Sequence, residues 1–470
     1  MSQSTFQQSN NGGGGTQIVL TANEDLVAGQ TVGIASNLEN QAMQAVLSLR
    51  SQATATIPGT SSGQISSTVC EISPNKYVVP IKESDSPYSD QRVFVLELDE
   101  DTMTFTFGAV SAIISKMGIS SIAKIDTDKF IITTVQATTG SNLVSVACSV
   151  SGLTVSIIDS IQVSCIDYDS IKSVQMATDR AAVVVSKNTS GGTETSDIVE
   201  VLLSGTTISY STFEQIVVAR SSFGMAKVDT DKVALLCGAS SSSAFRSTIT
   251  IATVSGGVWT IGTPLKMSPL LSGTQSNMGI FSSVNNEVYV TGFIGAVTTN
   301  RALLKYTTTT MTPVLAASGL FSSSGAFIVS DGSDIYLTGG SFYKVSESGS
   351  VLTMSKVSGQ TGINSTSNQV LSSAGGYFLI IKGATPTSGS PNSTSNIDYH
   401  VQGMTSLYTG IAQNTVSRGG DVIVKIIGID GNQTGLLAGA NYEPSAGGLI
   451  PSTGLTPYTL QATSSTEVNI

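Results

Sequence analysis

IDTDKFIITTV (residues 125–135) and VDTDKVALLCG (228–238) share one design, a polar turn that runs directly into an apolar strand, and MATDRAAVVVS (176–186) repeats it between them. Looser copies are ISPNKYVVPI from Ile72, VNNEVYVTG from Val284, VSDGSDIYLTG from Val329 and LSSAGGYFLII from Leu371. The first strand residues after these turns are Tyr77, Phe130, Ala181, Val233, Val288, Ile335 and Tyr377, at intervals of 53, 51, 52, 55, 47 and 42 residues. Self-similarity at this period, carried by strands and not by helices, marks a β-propeller or a related β-array.

The chain around each copy completes the unit. After a variable polar loop come two further strands joined by a tight turn: RVFVLEL/TMTFTFG from Arg92, NLVSVACSV/LTVSII from Asn142, DIVEVLL/TISYS from Asp197 and STITIATV/VWTIG from Ser247. ALLKY/MTPVL, FYKVSES/SVLTMS and DYHVQ/TSLYTG continue the series. Several of the turns carry glycine, which supplies the positive φ that tight hairpins need. With the strand before each polar turn, such as SSIAKI or SFGMAKV, every unit has four strands. The expectation is an all-β chain with a β-propeller of about seven four-stranded blades over residues 66–405.

Composition sets the outer limits. A chain of 470 residues exceeds one ordinary two-layer core, which a radial repeat accommodates. Hydrophobic residues make up 40% and charged residues 11%, too apolar for a disordered chain. The balance of 22 basic against 32 acidic residues, with no basic cluster, argues against nucleic acid and anionic membrane as partners. The start, MSQSTFQQSNNGGGGTQ, has neither the basic end nor the apolar run of a signal peptide, and no apolar stretch is long enough to span a bilayer as a helix.

Outside the repeats, residues 1–15 read as a flexible arm and 51–65 as a linker. Residues 16–50 hold two apolar strands around a glycine turn at Gly29, and 406–470 are dense in glycine turns and short apolar strands. Each half is too small to bury a useful core alone, so the two are expected to pair as one small β-module with the propeller inserted between them.

The run TGLLAGANYEPSAGGLIPS (434–452) resembles the glycine-turn strand motif near the C-terminus of many tailed-bacteriophage fibre and head-fibre proteins. GIAQNTVSRGGDVIVKIIG (410–428), ATSSTEVNI (462–470) and ANEDLVAGQTVGI (22–34) are similar to the flanking strands of that module. The likeness departs at Glu443, where the family often has a second aromatic residue, and at the additional GLTPY of residues 454–458. It implies a virion protein, made in a host cytoplasm, that works as a homo-oligomer, often a trimer in that family.

Residues with catalytic potential are sparse. The one histidine, His400, lies in the alternating strand DYHVQ and reads as structural or surface. Cys70, Cys148, Cys165 and Cys237 have no paired spacing and read as reduced core thiols; no zinc site is expected. Asp126/Asp128 and Asp229/Asp231 could open a calcium loop, but Lys129 and Lys232 follow where further oxygen ligands belong, so a turn capped by an Asx side chain is preferred. No phosphate-binding glycine motif occurs, the aspartate-box pattern of sialidase propellers is missing, and the double glycine of kelch blades appears once, at Gly339–Gly340. No metal and no cofactor are expected.

Two functional classes follow. In the first, the chain is not an enzyme but a structural or adhesive virion protein, a fibre, spike or decoration subunit, whose propeller binds a host surface glycan or protein or a neighbouring virion protein. Recognition would reside in the long loops KESDSPYSDQ (82–91), SKNTSGGTETSD (186–197), GASSSSAFR (238–246) and KGATPTSGSPNSTSN (382–396), with Tyr88, Phe245 and Arg246 as candidate contacts. The alternative is a polysaccharide-depolymerising propeller enzyme of the virion, which requires acids from different blades to converge.

Overall fold

The computed structural model of the chain describes residues 69–82, 89–99, 104–138, 140–164, 168–187, 195–216, 223–237 and 248–266 continuously. It also describes 26–30, 413–417, 419–420 and the further strands named below. The described residues are strands and the turns and short connections between them, with no helix among them.

Seven antiparallel blades follow one another along the chain. Blade 1 comprises Cys70–Ser73, Lys76–Lys82, Ser89–Asp99 and Thr104–Phe107. Blade 2 comprises Ser111–Asp126, Lys129–Thr138, Gly140–Ser151 and Thr154–Ser164. Ser111–Asp126 is long enough to pair with both Lys129–Thr138 and Ser89–Asp99, so blades 1 and 2 share a 9-stranded sheet. Blade 3 holds Tyr168–Ala177, Arg180–Lys187, Thr195–Ser204 and Thr207–Tyr210; blade 4 holds Phe223–Asp229, Lys232–Cys237, Thr248–Ser255 and Val258–Ile261. Blade 5 is Gly279–Ser282, Glu287–Phe293, Arg301–Thr307 and Pro313–Gly319, and blade 6 is Phe327–Ser330, Ile335–Thr338, Phe342–Ser348 and Val351–Ser358.

Blade 7 takes only three strands from its own place in the chain, Asn368–Ser372, Tyr377–Lys382 and Asn396–Gly403. Its outer strand is Leu49–Thr56, which precedes blade 1. Most of these residues belong to the stretch expected as a linker, and TSLYTG does not take the outer position expected of it. The correction has a physical reason: Leu49–Thr56 has almost no large apolar side chains, yet an outer strand needs mainly one partner's backbone groups to pair with. Inner strands of successive blades lie side by side from blade 1 to blade 7, and the outer strand of blade 1 touches Leu49–Thr56, which closes the ring.

The cores lie between blades, and this explains the apolar runs after the turns. Successive residues of a strand point to opposite faces, so a second strand packed on both sides must be apolar throughout. In blade 3, Ala181, Val183 and Val185 pack with Ile131, Val135 and Leu143 of blade 2. Ala182 and Val184 pack the other way, with Val233, Leu235 and Trp259 of blade 4. Val78, Val93 and Val95 of blade 1 meet Phe130, Ile132 and Val144 of blade 2, while Ala234 and Leu236 of blade 4 meet Val288, Val290 and Leu304 of blade 5. The face of blade 1 away from blade 2 is also buried, with Tyr77, Val79, Ile81, Phe94, Leu96 and Leu98 at 3% exposure or less. Polar links cross the same seams: Ser120 Oγ donates to Gln91 Oε1 (2.9 Å), Tyr210 Oη to Ser145 Oγ (3.0 Å), and Ile208 N to Asp159 Oδ2 (2.9 Å).

The two ends of the chain form the small β-module. Its sheet runs in the order Phe6–Gln7, Gln17–Ala22, Asp421–Lys425, Thr405–Ala412, Thr31–Ala35, Gln41–Gln44, and Gln41–Gln44 also pairs in parallel with Gln17–Ala22. Five strands thus close on themselves around Leu20, Ala22, Leu26, Val32, Ala412, Val422 and Val424. Paired backbone bonds fasten the termini: Leu26 N to Val416 O and Val416 N to Leu26 O are both 2.8 Å. Gly29 and Gly419, at φ 88 and φ 82, turn the chain where an L side chain would be strained. The remaining C-terminal strands, Ile429–Asp430, Asn441–Ser445, Gly448–Pro451, Leu460–Ala462 and Val468–Asn469, make a separate five-stranded sheet. The single module expected from residues 16–50 and 406–470 is therefore two sheets, and only the part up to Lys425 pairs with the N-terminal strands.

Candidate binding face

Antiparallel blades have two unlike ends. At one end the polar turns join inner to second strands. At the other, connections leave between second and third strands.

The turn end is a structural latch. Asn75, Asp128 and Asp179 occupy equivalent turn positions with φ of 62, 56 and 59, a region that Asn and Asp tolerate better than other L residues. In each blade the carbonyl of that residue accepts from the third strand: Leu98 N to Asn75 O (2.9 Å), Val150 N to Asp128 O (2.8 Å) and Leu203 N to Asp179 O (2.9 Å). Asp231 O receives Val254 N at 2.8 Å in blade 4. The turns also reach across blades. Ser73 Oγ donates to Asp128 Oδ1 (3.1 Å), and Asp179 N donates to Ile125 O (2.7 Å).

Lys129 Nζ donates to Asp126 Oδ2 of its own turn (3.1 Å) and to Asp179 Oδ1 of the next blade (3.2 Å). These bonds raise the Lys129 pKa, and Lys129 followed by the Thr127 amide holds the Asp126 carboxyl below its ordinary value. The ammonium stands between carboxylates where a calcium loop would need a metal, so the turn reading accounts for Asp126 and Asp128. The basic residue after the turn finds an acid in other blades too: Lys76 with Glu97 (3.6 Å), Arg180 Nε with Glu200 (2.6 Å), and Lys232 with Asp229 and Asp231 (both 4.0 Å). Blade 5 exchanges the signs, with Glu287 following the turn and pairing with the buried Lys305 at 2.5 Å.

The loop end carries the recognition candidates. Second and third strands are joined by residues 83–88 in blade 1, 188–194 in blade 3, 238–247 in blade 4 and 383–395 in blade 7. All four segments singled out in the sequence therefore leave from one end of the ring. Tyr88, Phe245 and Arg246 lie within them and outside the described residues. His400 belongs to the third strand of blade 7, where its backbone pairs with Ile380 and Gln52. Burial pushes the Cys70 and Cys148 thiols up to about 12, against the pull of Lys124 on Cys70, so both are poor nucleophiles at neutral pH. Cys165 lies outside the described residues.

The terminal module attaches at the opposite end. Gly403, after which the chain passes to Thr405–Ala412, pairs with Tyr377, the first residue of its blade's second strand. Leu49, which the chain reaches from Gln41–Gln44, pairs with Gln402 beside it. Both crossings into the module thus occur at the turn end of blade 7, away from the long loops.

No family model and no curated protein matches the chain. Among solved structures, it is similar to an acylaminoacyl peptidase of Pyrococcus horikoshii, with 11% identity and a TM-score of 0.39 over 69% of this chain and 50% of that one. The chain thus matches about half the length of that peptidase. It is also similar to the β-propeller domain of the Trilobed protease from Pyrococcus furiosus, described as having an open velcro topology, with 10% identity and a TM-score of 0.40 over 73% of this chain and 96% of that one. The expectation that the chain is not an enzyme is corrected here, since both neighbours come from peptidases. At these TM-scores the likeness assigns no reaction to the chain itself.

Proposed function

We propose that the chain is a structural or adhesive virion subunit, a fibre, spike or decoration protein, in which the propeller presents its loop end to a host surface molecule or to another virion protein. The supporting observation is the polarity of the molecule. Both chain crossings into the terminal module lie at the turn end of blade 7, while the long second-to-third-strand loops leave from the other end. A module that attaches to a particle at one end leaves the loops at the far end free to meet a partner, on blades held rigid by their shared cores. The resemblance of residues 434–452 to fibre and head-fibre modules supplies the particle. Several copies on one particle would raise avidity by about 10² to 10⁴ over a single weak contact.

The test is labelling of purified particles with antibody against the chain, combined with adsorption assays in which the free protein competes. Label on intact particles and a loss of competition when residues 383–395 are exchanged for a short glycine-serine segment are the expected results. Purified particles that lack the protein would overturn the reading.

A further inference from the structure

Polar bonds tie blades 1, 2 and 3 together at several levels. Between blades 1 and 2, whose sheets are also continuous, Ser73 Oγ reaches Asp128 Oδ1 and Ser120 Oγ reaches Gln91 Oε1. Between blades 2 and 3, Lys129 meets Asp179 (3.2 Å) and Tyr210 Oη donates to Ser145 Oγ (3.0 Å). Ser173 binds Ser121 across the same seam, through N to Oγ (2.9 Å) and Oγ to Oγ (2.7 Å).

The seam between blades 3 and 4 is built differently. Its described core is apolar, with Val184 and Ile198 of blade 3 against Val233, Leu235 and Trp259 of blade 4. Three buried polar atoms in this seam meet no hydrogen-bond partner: Ser186 Oγ, Ser196 Oγ and Trp259 Nε1. Ser186 follows Val184 by two residues, Ser196 precedes Ile198 by two, and the two serines stand opposite each other in the ladder, so both side chains face blade 4. In blade 2 the like cross-strand pair, Thr133 and Ser145, closes on itself at 2.8 Å and takes a further bond from Tyr210. A buried polar group without a partner carries its full desolvation penalty, which is relieved when the seam parts and water reaches the group. Groups at both ends of the seam favour its opening. The serines lie near the loop end of their strands, and Trp259 pairs with Val254, whose amide is bound at the turn.

We propose that the seam between blades 3 and 4 is a joint built into the ring, one that parts locally while the seams on either side of blade 2 stay shut. The connections 188–194 and 238–247 leave the two blades at the loop end of this seam, from strands that end at Lys187 and Cys237. Opening therefore changes the separation of these strand ends without unfolding either blade. The joint belongs to the ring itself and does not rest on the virion reading.

Side chains already present report on the seams. Cys237, 2% exposed, lies between blades 3 and 4, and Cys148, 0% exposed, lies between blades 1 and 2. The full chain is labelled with a thiol reagent in low urea and digested, and each cysteine is followed by mass spectrometry. Once each rate is divided by its rate in the unfolded chain, Cys237 should label faster than Cys148 by about tenfold or more. Ser186→Ala and Ser196→Ala remove hydroxyls that gain water on opening, so each should slow Cys237 by about fivefold or more and leave Cys148 unchanged. Deuterium exchange of the Trp259 indole N–H, a single NMR signal because the chain has one tryptophan, should slow in the same variants. Equal protection of the two cysteines, or faster Cys237 labelling in the serine variants, would overturn the joint. Fast Cys237 labelling with Trp259 exchanging only at the rate of global unfolding would confine the motion to a strand end and overturn it as well. Loss of adsorption competition leaves these rates untouched, so the two proposals fail separately.

Discussion

Leu235 shows what a residue does in this ring: it is fully buried and packs with the face of blade 3 that carries Ala182 and Val184. Leu235→Ala should lower stability by about 2–5 kcal/mol, the range for a large buried residue whose cavity stays open, as read from the urea midpoint. Asn75 isolates the turn. Its φ is 62, and its side-chain Oδ1 is buried without a hydrogen-bond partner. Asn75→Gly should therefore lie within about 1 kcal/mol of the parent, whereas Asn75→Val, which cannot relax into that region, should lose about 1–2 kcal/mol. Equal losses in the two variants would show that φ is not what selects the residue. Asp159 supplies a pH dependence. Its pKa is lowered first by the Ile208 amide of blade 3 and then by that of Ser160, so its contribution is present above the ordinary aspartate value and lost as pH falls through the lowered one. Between about pH 5 and pH 3, Asp159→Asn should lose less of its urea midpoint than the parent does; parallel curves would remove Asp159 from the account. At this scale the sequence was legible where a residue type has one physical use, as with Asn and Asp in a left-handed turn. On Tyr88, Phe245 and Arg246 it offered chemistry without placement.

Strands were readable in proportion to how many of their faces are buried. The second strands, covered on both sides, appear as unbroken apolar runs such as Ala181–Val185 and could not be missed. An outer strand has less to bury, so most of Leu49–Thr56 reads as a linker although its backbone completes blade 7. TSLYTG (405–410), within Thr405–Ala412, reads as part of that blade because it follows the third strand at hairpin distance. It instead pairs with Thr31–Ala35 and Asp421–Lys425, a choice set by partners far away in sequence. This exchange makes closure of the ring depend on the N-terminal segment, and two truncations separate the roles. Removal of residues 1–44 leaves Leu49–Thr56 to pair and should open only the terminal module. Removal of residues 1–56 bares the edge of Asn396–Gly403 and should expose blade 7 to proteolysis, detectable as new cleavage between residues 368 and 403. Identical digestion patterns for the two would mean that the outer strand of blade 7 is not needed to close the ring.

The whole molecule has a direction that follows from topology. Period alone gave the number of blades, since each repeat must bury its faces against two neighbours and cannot stand alone. The direction was not legible in the period, because it depends on where the two chain crossings meet blade 7, at Gly403 beside Tyr377 and at Leu49 beside Gln402. An epitope inserted within residues 238–247 should bind its Fab on the ring face away from the terminal module. One inserted at Gly205, in the exposed turn between the third and outer strands of blade 3, should bind it on the face nearer that module. Negative-stain images of the two complexes, with the N-terminal arm labelled to mark the module, decide the matter. Fabs on the same face, or on exchanged faces, would overturn the assignment of ends. Opposite faces in the expected sense would mean that a partner held by the long loops approaches from the side the module leaves open. The module and the propeller could then engage two different partners at once without competing for space.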